Sequence, residues 1–143
     1  MTKRPSKERT FMDIAELWAQ QSTCSRRIMV GAVLVNKFNQ VIASGFNGAP
    51  RGLPHCDDVG CDDDGHTHRV IHAEENAILQ CALNGTPSRG AVLYITHTPC
   101  PRCCARIIQA GIVAVVYQNI YGVEEPSIRL LKYVGISIRR LGE

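Results

Sequence analysis

Four side chains in two short segments have the types and spacing of a zinc site that could do chemistry. His72 and Glu74 lie in one segment, and Cys100 and Cys103 lie in the other. Zn²⁺ prefers tetrahedral nitrogen and sulfur ligands, and a catalytic site keeps three protein ligands with a water in the fourth position. The imidazole and two thiolates would supply that set, and Glu74 could take up a proton from the water. We predict a catalytic zinc centre with Glu74 as its acid–base group.

The same residues could instead form a closed structural zinc site without catalysis. A closed site needs a fourth protein ligand, and Glu74 is the nearby candidate. A carboxylate in that role would be unusual in a structural site, whose ligands are mostly cysteine and histidine. The catalytic interpretation is therefore favoured.

Two helix starts are predicted to position these groups. Residues 73–84 are rich in helix formers with apolar residues on one face, and prolines at the start of 100–110 suit a helix N-terminus. His72 would open the first helix, and Glu74 would lie in its first turn, where the helix dipole favours a carboxylate. The two cysteines share one face of the second helix. Both helix N-termini should converge on one cation.

Three neighbouring residues are expected to play no direct part. Glu75 and Cys104 lie about 100° further round their helices than the predicted site residues. We expect Glu75 to be a solvated charge and Cys104 to be a buried thiol. His97 is expected to be a hydrogen-bonded structural histidine rather than a ligand.

Hydrophobic patterns along the chain predict an α/β fold. The remaining predicted elements are a helix at 7–21, a hairpin of strands at 30–35 and 40–44, strands at 91–96, 112–117 and 136–139, and a helix at 126–133. The later alternation of helix and strand implies parallel strands, and the hairpin adds an antiparallel pair. We predict a three-layer α/β/α sandwich with a mixed five-stranded sheet, in a single domain spanning 1–143. The long irregular segment 45–71 should be functional or tied by metal.

Composition excludes several classes of protein. The chain has 143 residues, a net charge of +3 and seven cysteines. It contains no apolar run near the roughly 18 residues that a membrane span needs, and we see no secretion signal. The scattered basic residues form no polynucleotide footprint. An odd number of cysteines, several at metal-ligand spacing, favours reduced thiols and a cytoplasmic location.

Several sequence blocks together resemble a known family. They are Cys24-Ser25-Arg26-Arg27, Val30-Gly31-Ala32-Val33, Gly45-Phe46-Asn47-Gly48-Ala49-Pro50-Arg51-Gly52, His72-Ala73-Glu74-Glu75-Asn76-Ala77 and Thr96-His97-Thr98-Pro99-Cys100. The H-x-E and P-C-x-x-C spacing marks zinc-dependent deaminases of nucleobases. The glycine-rich block at 45–52 and the cysteine-bearing insert after it narrow the match to one branch of these deaminases. Over roughly residues 8–140 the chain resembles the deoxycytidylate (dCMP) deaminases of the cytidine deaminase-like superfamily, although Phe46 replaces the family's usual tyrosine.

The resemblance implies a reaction and a set of substrate contacts. In the family, a zinc-bound hydroxide attacks C4 of dCMP, giving dUMP and ammonia, and dUMP feeds thymidylate synthesis. At matching positions, Asn47 would contact the sugar, Arg26 the 5′-phosphate, the Ala73 backbone the base edge, and Tyr121 would pack near the base. Each assignment has a plainer alternative. Asn47 could be a left-handed turn residue, Arg26 a solvated charge with Arg27 as its rival, and Tyr121 a half-buried residue at a strand end.

The resemblance also implies a second, structural zinc ion. Cys24, Cys56 and His66 fall at matching positions, and Cys61 is within reach to complete the set. His68 could replace His66, and all of these residues could instead be free thiols and surface histidines. The acidic composition around them favours metal, because little apolar material is present to order the loop otherwise.

Two other functions remain open at this point. One is deamination of a related molecule, such as dCTP, a modified dCMP, cytidine, a free base or a tRNA adenosine. The absence of basic tracts disfavours tRNA, and the long insert disfavours the nucleoside enzymes. The other is a non-catalytic, zinc-stabilised binding protein, which Glu74 disfavours. The resemblance further implies a homo-oligomer, a hexamer or a dimer, with dCTP and dTTP as candidate effectors and Mg²⁺ on their phosphates.

Overall fold

A computed structural model describes residues 3–25, 27–61, 69–122 and 124–143. Its strands are β1 (Gly31–Val35), β2 (Val41–Phe46), β3 (Val92–His97), β4 (Ala114–Asn119) and β5 (Ser137–Arg140). Its helices are α1 (Lys7–Ala19), α2 (Cys56–Val59), α3 (Ala73–Asn84), α4 (Pro101–Gln109) and α5 (Glu125–Tyr133). No helix in these ranges is long and apolar enough to cross a membrane.

The described strands form one mixed sheet in the order β2-β1-β3-β4-β5. β1 pairs antiparallel with β2 and with β3, whereas β3, β4 and β5 pair in parallel. Helices connect the parallel strands, because parallel neighbours need a crossover rather than a tight turn. The predicted mixed five-stranded sheet is therefore confirmed within the described ranges.

Helices cover both faces of this sheet. Val33 of β1 lies in one apolar cluster with Met12 and other residues of α1. The next strand residue, Leu34, lies in the opposite cluster with residues of α3, α4 and α5, including Ile107. Side chains alternate between the faces of a strand, so β1, which is buried throughout, contributes to both layers. The three-layer α/β/α prediction is confirmed.

The predicted element boundaries agree with the structure to within a few residues, but the segment 45–71 was only partly anticipated. β2 continues through Phe46, and Gly48 pairs with Ile71 in an isolated antiparallel bridge. The short helix α2 lies between them. The prediction of an irregular segment is therefore wrong for the end of β2, for α2 and for the Gly48–Ile71 bridge. The bridge brings the two ends of the segment together beside the start of α3.

Candidate metal centre and active site

Three predicted ligands meet where α3 and α4 begin. His72 and Cys100 are the N-cap residues of these helices, and Cys103 lies in the first turn of α4. His72 Nδ1 is 3.2 Å from Cys103 Sγ and 3.6 Å from Cys100 Sγ. All three ligand atoms lie within 4.8 Å of one another. Tetrahedral bonds to zinc would place such atoms about 3.5–3.8 Å apart, so the donor set fits Zn²⁺.

Glu74 lies beside these ligands and is almost completely buried, with 3% of its surface exposed. Burial raises the pKa of its carboxyl group above the ordinary glutamate value. His72 and Cys103 lie close enough to oppose that rise in part. A buried carboxyl with a raised pKa next to a metal-ligand set is suited to accepting and donating a proton in turn.

The two cysteines of α4 influence each other strongly. A hydrogen bond from Cys103 lowers the pKa of Cys100 to about 3. The same bond and burial raise the pKa of Cys103. One sulfur is thus readily a thiolate, whereas the second needs a positive charge nearby to lose its proton. A divalent cation bound between them supplies that charge, as metal binding to thiols generally does.

Glu75 does not match its prediction as a solvated charge. Its side chain is only 17% exposed, and its Oε1 lies 3.3 Å from Arg106 Nε. The same oxygen lies 3.6 Å from Cys103 Sγ. The prediction is wrong because α4 packs against α3 on the side where Glu75 projects. Cys104 is fully buried, as predicted, and burial raises its pKa to about 11.

His97 is a hydrogen-bonded residue outside the ligand group, as predicted. Its Nδ1 lies 2.9 Å from Thr96 Oγ1, which also accepts the backbone N–H of Gly31 at 3.1 Å. Burial lowers the pKa of His97. The neutral ring therefore helps to join the end of β3 to the start of β1.

Asn47 is buried at the end of β2 and holds the backbone that precedes β1. Its Oδ1 accepts the Val30 N–H at 2.7 Å, and its Nδ2 donates to the Ile28 carbonyl at 3.1 Å. Asn39 alone has a positive φ among the described non-glycine residues. The interpretation of Asn47 as a left-handed turn residue is therefore wrong.

Tyr121 follows β4, and its backbone is tied to the ligand loop. Its N–H donates to Thr98 Oγ1 at 2.8 Å, and the Thr98 hydroxyl donates back to the Tyr121 carbonyl at 3.1 Å. Tyr121 is 54% exposed just after the end of β4, which agrees with a half-buried residue at a strand end and also leaves its ring accessible to a base. Thr98 was not singled out from the sequence, although a hydroxyl residue shortly before Cys100 is a visible signal. Ala73, the first residue of α3, is fully buried.

A second group of sulfur atoms joins the start of the insert to the segment after α1. The Sγ atoms of Cys24, Cys56 and Cys61 lie within 4.8 Å of one another, and those of Cys24 and Cys61 are 3.6 Å apart. Burial raises the pKa of Cys24 to about 12, and its hydrogen bond to Cys61 lowers the pKa of Cys61. The nearby positive charge of Arg27 also lowers the pKa of Cys61. The predicted residues Arg26, His66 and His68 lie outside the described ranges.

Asp57 holds this cysteine group in place, and sequence reasoning missed it. Its Oδ1 accepts both the N–H and the hydroxyl of Ser25 at 2.9 Å. Its own N–H donates to the Thr23 carbonyl at 3.2 Å. Among the several aspartates of the insert, nothing in the sequence distinguishes Asp57, because its partners lie more than thirty residues earlier in the chain.

Comparisons with known proteins agree with this geometry. Residues 5–119 match the profile of the cytidine and deoxycytidylate deaminase zinc-binding region. ComE operon protein 2 of Bacillus subtilis is 43% identical over 142 residues, covering 97% of this chain and 73% of that protein. The deoxycytidylate deaminase of Saccharomyces cerevisiae is 41% identical over 144 residues, covering 96% of this chain. The chain spans only 45% of the yeast protein's length.

A solved structure shows the same likeness in three dimensions. The dCMP deaminase of cyanophage S-TIM5, crystallised in complex with dCMP and dUMP, superposes with a TM-score of 0.85 and is 35% identical. The match covers 98% of this chain and the whole of that chain.

Proposed function

Because this chain belongs to the cytidine and deoxycytidylate deaminase zinc-binding family, we propose that it converts dCMP and water to dUMP and ammonia. The observation that carries the proposal is the buried Glu74 beside the converging atoms of His72, Cys100 and Cys103. The likeness to a phage enzyme crystallised with dCMP and dUMP supports the choice of substrate. The product dUMP would supply thymidylate synthesis.

His72, Cys100 and Cys103 are the residues that would hold Zn²⁺ in this proposal. When bound there, the metal lowers the pKa of a water molecule and so makes a nucleophile available near neutral pH. Two thiolates and a neutral imidazole would neutralise the charge of the ion. The metal would therefore lower the pKa of its water less than in a site with three histidine ligands.

Glu74 moves the protons of the reaction. It accepts a proton from the attacking water, delivers it to N3 of the cytosine, and passes the second proton to the amino group on C4. The C4–N bond then breaks, ammonia leaves, and the oxygen of water remains on C4 as the uracil carbonyl. The raised pKa of the buried carboxyl suits this alternation between its two forms.

The remaining predicted residues would place the nucleotide. We assign the 5′-phosphate to Arg26 rather than to Arg27, because the positive charge of Arg27 acts on Cys61 and lowers the pKa of that thiol. Asn47 would contact the sugar. Its Oδ1 and Nδ2 each make one bond, to Val30 and Ile28, and each can form another. The Ala73 backbone would contact the base edge, and the exposed ring of Tyr121 would pack near the base.

Further proposals concern the second metal and regulation. Cys24, Cys56 and Cys61, completed by His66 or by His68, would hold a structural zinc ion. We also propose that the chain is one cytoplasmic catalytic domain that forms a homo-oligomer. Regulation by dCTP and dTTP with Mg²⁺ is part of the same proposal, on the strength of the family resemblance alone.

A substrate panel tests the proposed reaction. Purified zinc-loaded protein is offered dCMP, dCTP, deoxycytidine or cytosine, and ammonia release is followed with and without dCTP or dTTP as effector. We expect dCMP to be the preferred substrate and the Glu74→Gln variant to provide the inactive control. Equal turnover of deoxycytidine would replace the nucleotide-specific proposal with a nucleoside deaminase. Loss of ammonia release from every substrate would support a non-catalytic binding protein.

A further inference from the structure

An ion pair joins the two helices that carry the metal ligands. Glu75 lies in the first turn of α3, three residues after His72, and Arg106 lies in α4, three residues after Cys103. Arg106 Nε is 3.3 Å from Glu75 Oε1. The Glu75 side chain is 17% exposed and that of Arg106 is 43% exposed, so the pair is partly withdrawn from water. Partial burial makes such a pair more effective than a fully solvated one.

The same guanidinium group also contacts the peptide that precedes a metal ligand. Arg106 Nη1 donates to the backbone carbonyl of Arg102 at 2.8 Å. Arg102 is bonded directly to Cys103 along the chain. One planar, rigid group therefore holds a side chain of α3 and the backbone of α4 at the same time, which a flexible lysine cannot reproduce.

The positive charge of Arg106 also affects how Glu75 and Cys103 can lie together. Glu75 Oε1 lies 3.6 Å from Cys103 Sγ. When Cys103 binds a metal as a thiolate, it has no proton to donate, and the carboxylate then faces a negative sulfur. Arg106 supplies a positive charge beside that carboxylate, so Glu75 can remain against the ligand rather than being repelled from it.

We propose that Glu75 and Arg106 are positioning residues that hold the starts of α3 and α4 at the separation at which His72, Cys100 and Cys103 bind zinc. This inference rests on the proposed function of the same site. Neither residue touches the substrate in this account. Their effect reaches the reaction through the metal ligands, as outer partners of ligands do in other metal sites.

Zinc release to a chelating dye measures this role without relying on turnover. The release phase that belongs to this site is the one missing from a His72→Ala sample. We expect Arg106→Ala and Glu75→Ala each to speed that phase about tenfold or more. The double variant should release zinc no faster than Arg106→Ala alone, because Arg106→Ala already removes the ion pair that both substitutions share. Arg106→Lys and Glu75→Gln are the milder variants should the alanine proteins fold poorly.

An exposed ion pair of the same residue types provides the matched control. Glu125 and Arg129 pair on α5 with side chains about three-quarters exposed. Glu125→Ala and Arg129→Ala should release zinc like the parent protein. Cobalt-loaded protein should also show altered ligand-field absorption in Arg106→Ala or Arg106→Lys, and an unaltered spectrum in the controls.

Three results would overturn the inference. They are unchanged release in the Arg106 and Glu75 variants, effects of the two substitutions that multiply in the double variant, or equally fast release from the control variants. A parent protein that holds zinc at this site but releases no ammonia from dCMP would refute the proposed function instead, and the release rates would still decide the positioning role.

Discussion

Gly45 of β2 lies directly against the first turn of α3, so that a Cβ atom at this position would overlap the backbone carbonyl of Ala73. The same Cβ would come within 2.7 Å of the Ala77 nitrogen. The backbone of α3 cannot retreat from it without moving His72 and Glu74. The close approach of strand and helix therefore determines where the acid–base group and one ligand stand.

Gly45→Ala should displace the start of α3 and lower deamination about 100-fold, the usual effect of a misplacement near 1 Å. It should also lower the free energy of unfolding by about 1–3 kcal/mol, because the added methyl group overpacks the core. Steady-state kinetics and urea unfolding measure both effects.

Gly85→Ala is the control, since Gly85 ends the same helix with φ 66° and no neighbouring atom within 4 Å. It should lose about 1–2 kcal/mol of stability but keep its turnover. Equal losses of turnover in both variants would contradict the positional explanation.

Glu74→Gln should keep the zinc content of the parent and lower turnover about 10²–10⁴-fold. The amide preserves the shape of the side chain but cannot carry protons between water, N3 and the leaving amine. Metal analysis and ammonia release on the same samples separate the two effects. Glu16→Gln is the matched control, because Glu16 lies on α1 and pairs with Arg9. Turnover close to that of the parent would remove Glu74 from the mechanism.

Zinc analysis of the purified chain should find two ions, and Cys56→Ser should reduce that number to one. The Cys24, Cys56 and Cys61 sulfurs already converge, so loss of one thiolate weakens the whole group. Cys81→Ala is the control, because Cys81 is buried in α3 outside both cysteine groups. A content of one ion per chain, unaffected by Cys56→Ser, would leave the second site without a metal.

Arg26→Ala should raise the KM for dCMP about tenfold to a hundredfold while changing the KM for deoxycytidine little. Loss of a charge-assisted hydrogen bond to phosphate weakens binding by about this factor. Deoxycytidine has no phosphate group, so the substitution removes no contact to it. Arg27→Ala provides the comparison, because the positive charge of Arg27 acts on Cys61 in the second cysteine group. Should Arg27→Ala raise the KM and Arg26→Ala leave it unchanged, the phosphate contact belongs to Arg27.

The sequence was sufficient for whatever depends on spacing along one helix or strand. His72 and Cys100 were recognisable as helix starts because proline, helix-forming residues and apolar periodicity are local signals. The alternation of elements was likewise enough to predict a mixed sheet with parallel and antiparallel parts. The ligand types and their separation predicted which side chains could share a cation before any distance was known.

Tertiary packing alone decided the surroundings of those side chains. Glu75 is withdrawn from water because α4 brings Arg106 against it, and Asp57 holds Ser25 across a long stretch of chain. Asn47 spans the backbone before β1, although its sequence neighbours suggested a turn. Local patterns determine which face of an element a residue occupies. The partner on that face comes from a distant part of the chain, and only the packing of the whole sheet and its helices brings the two together.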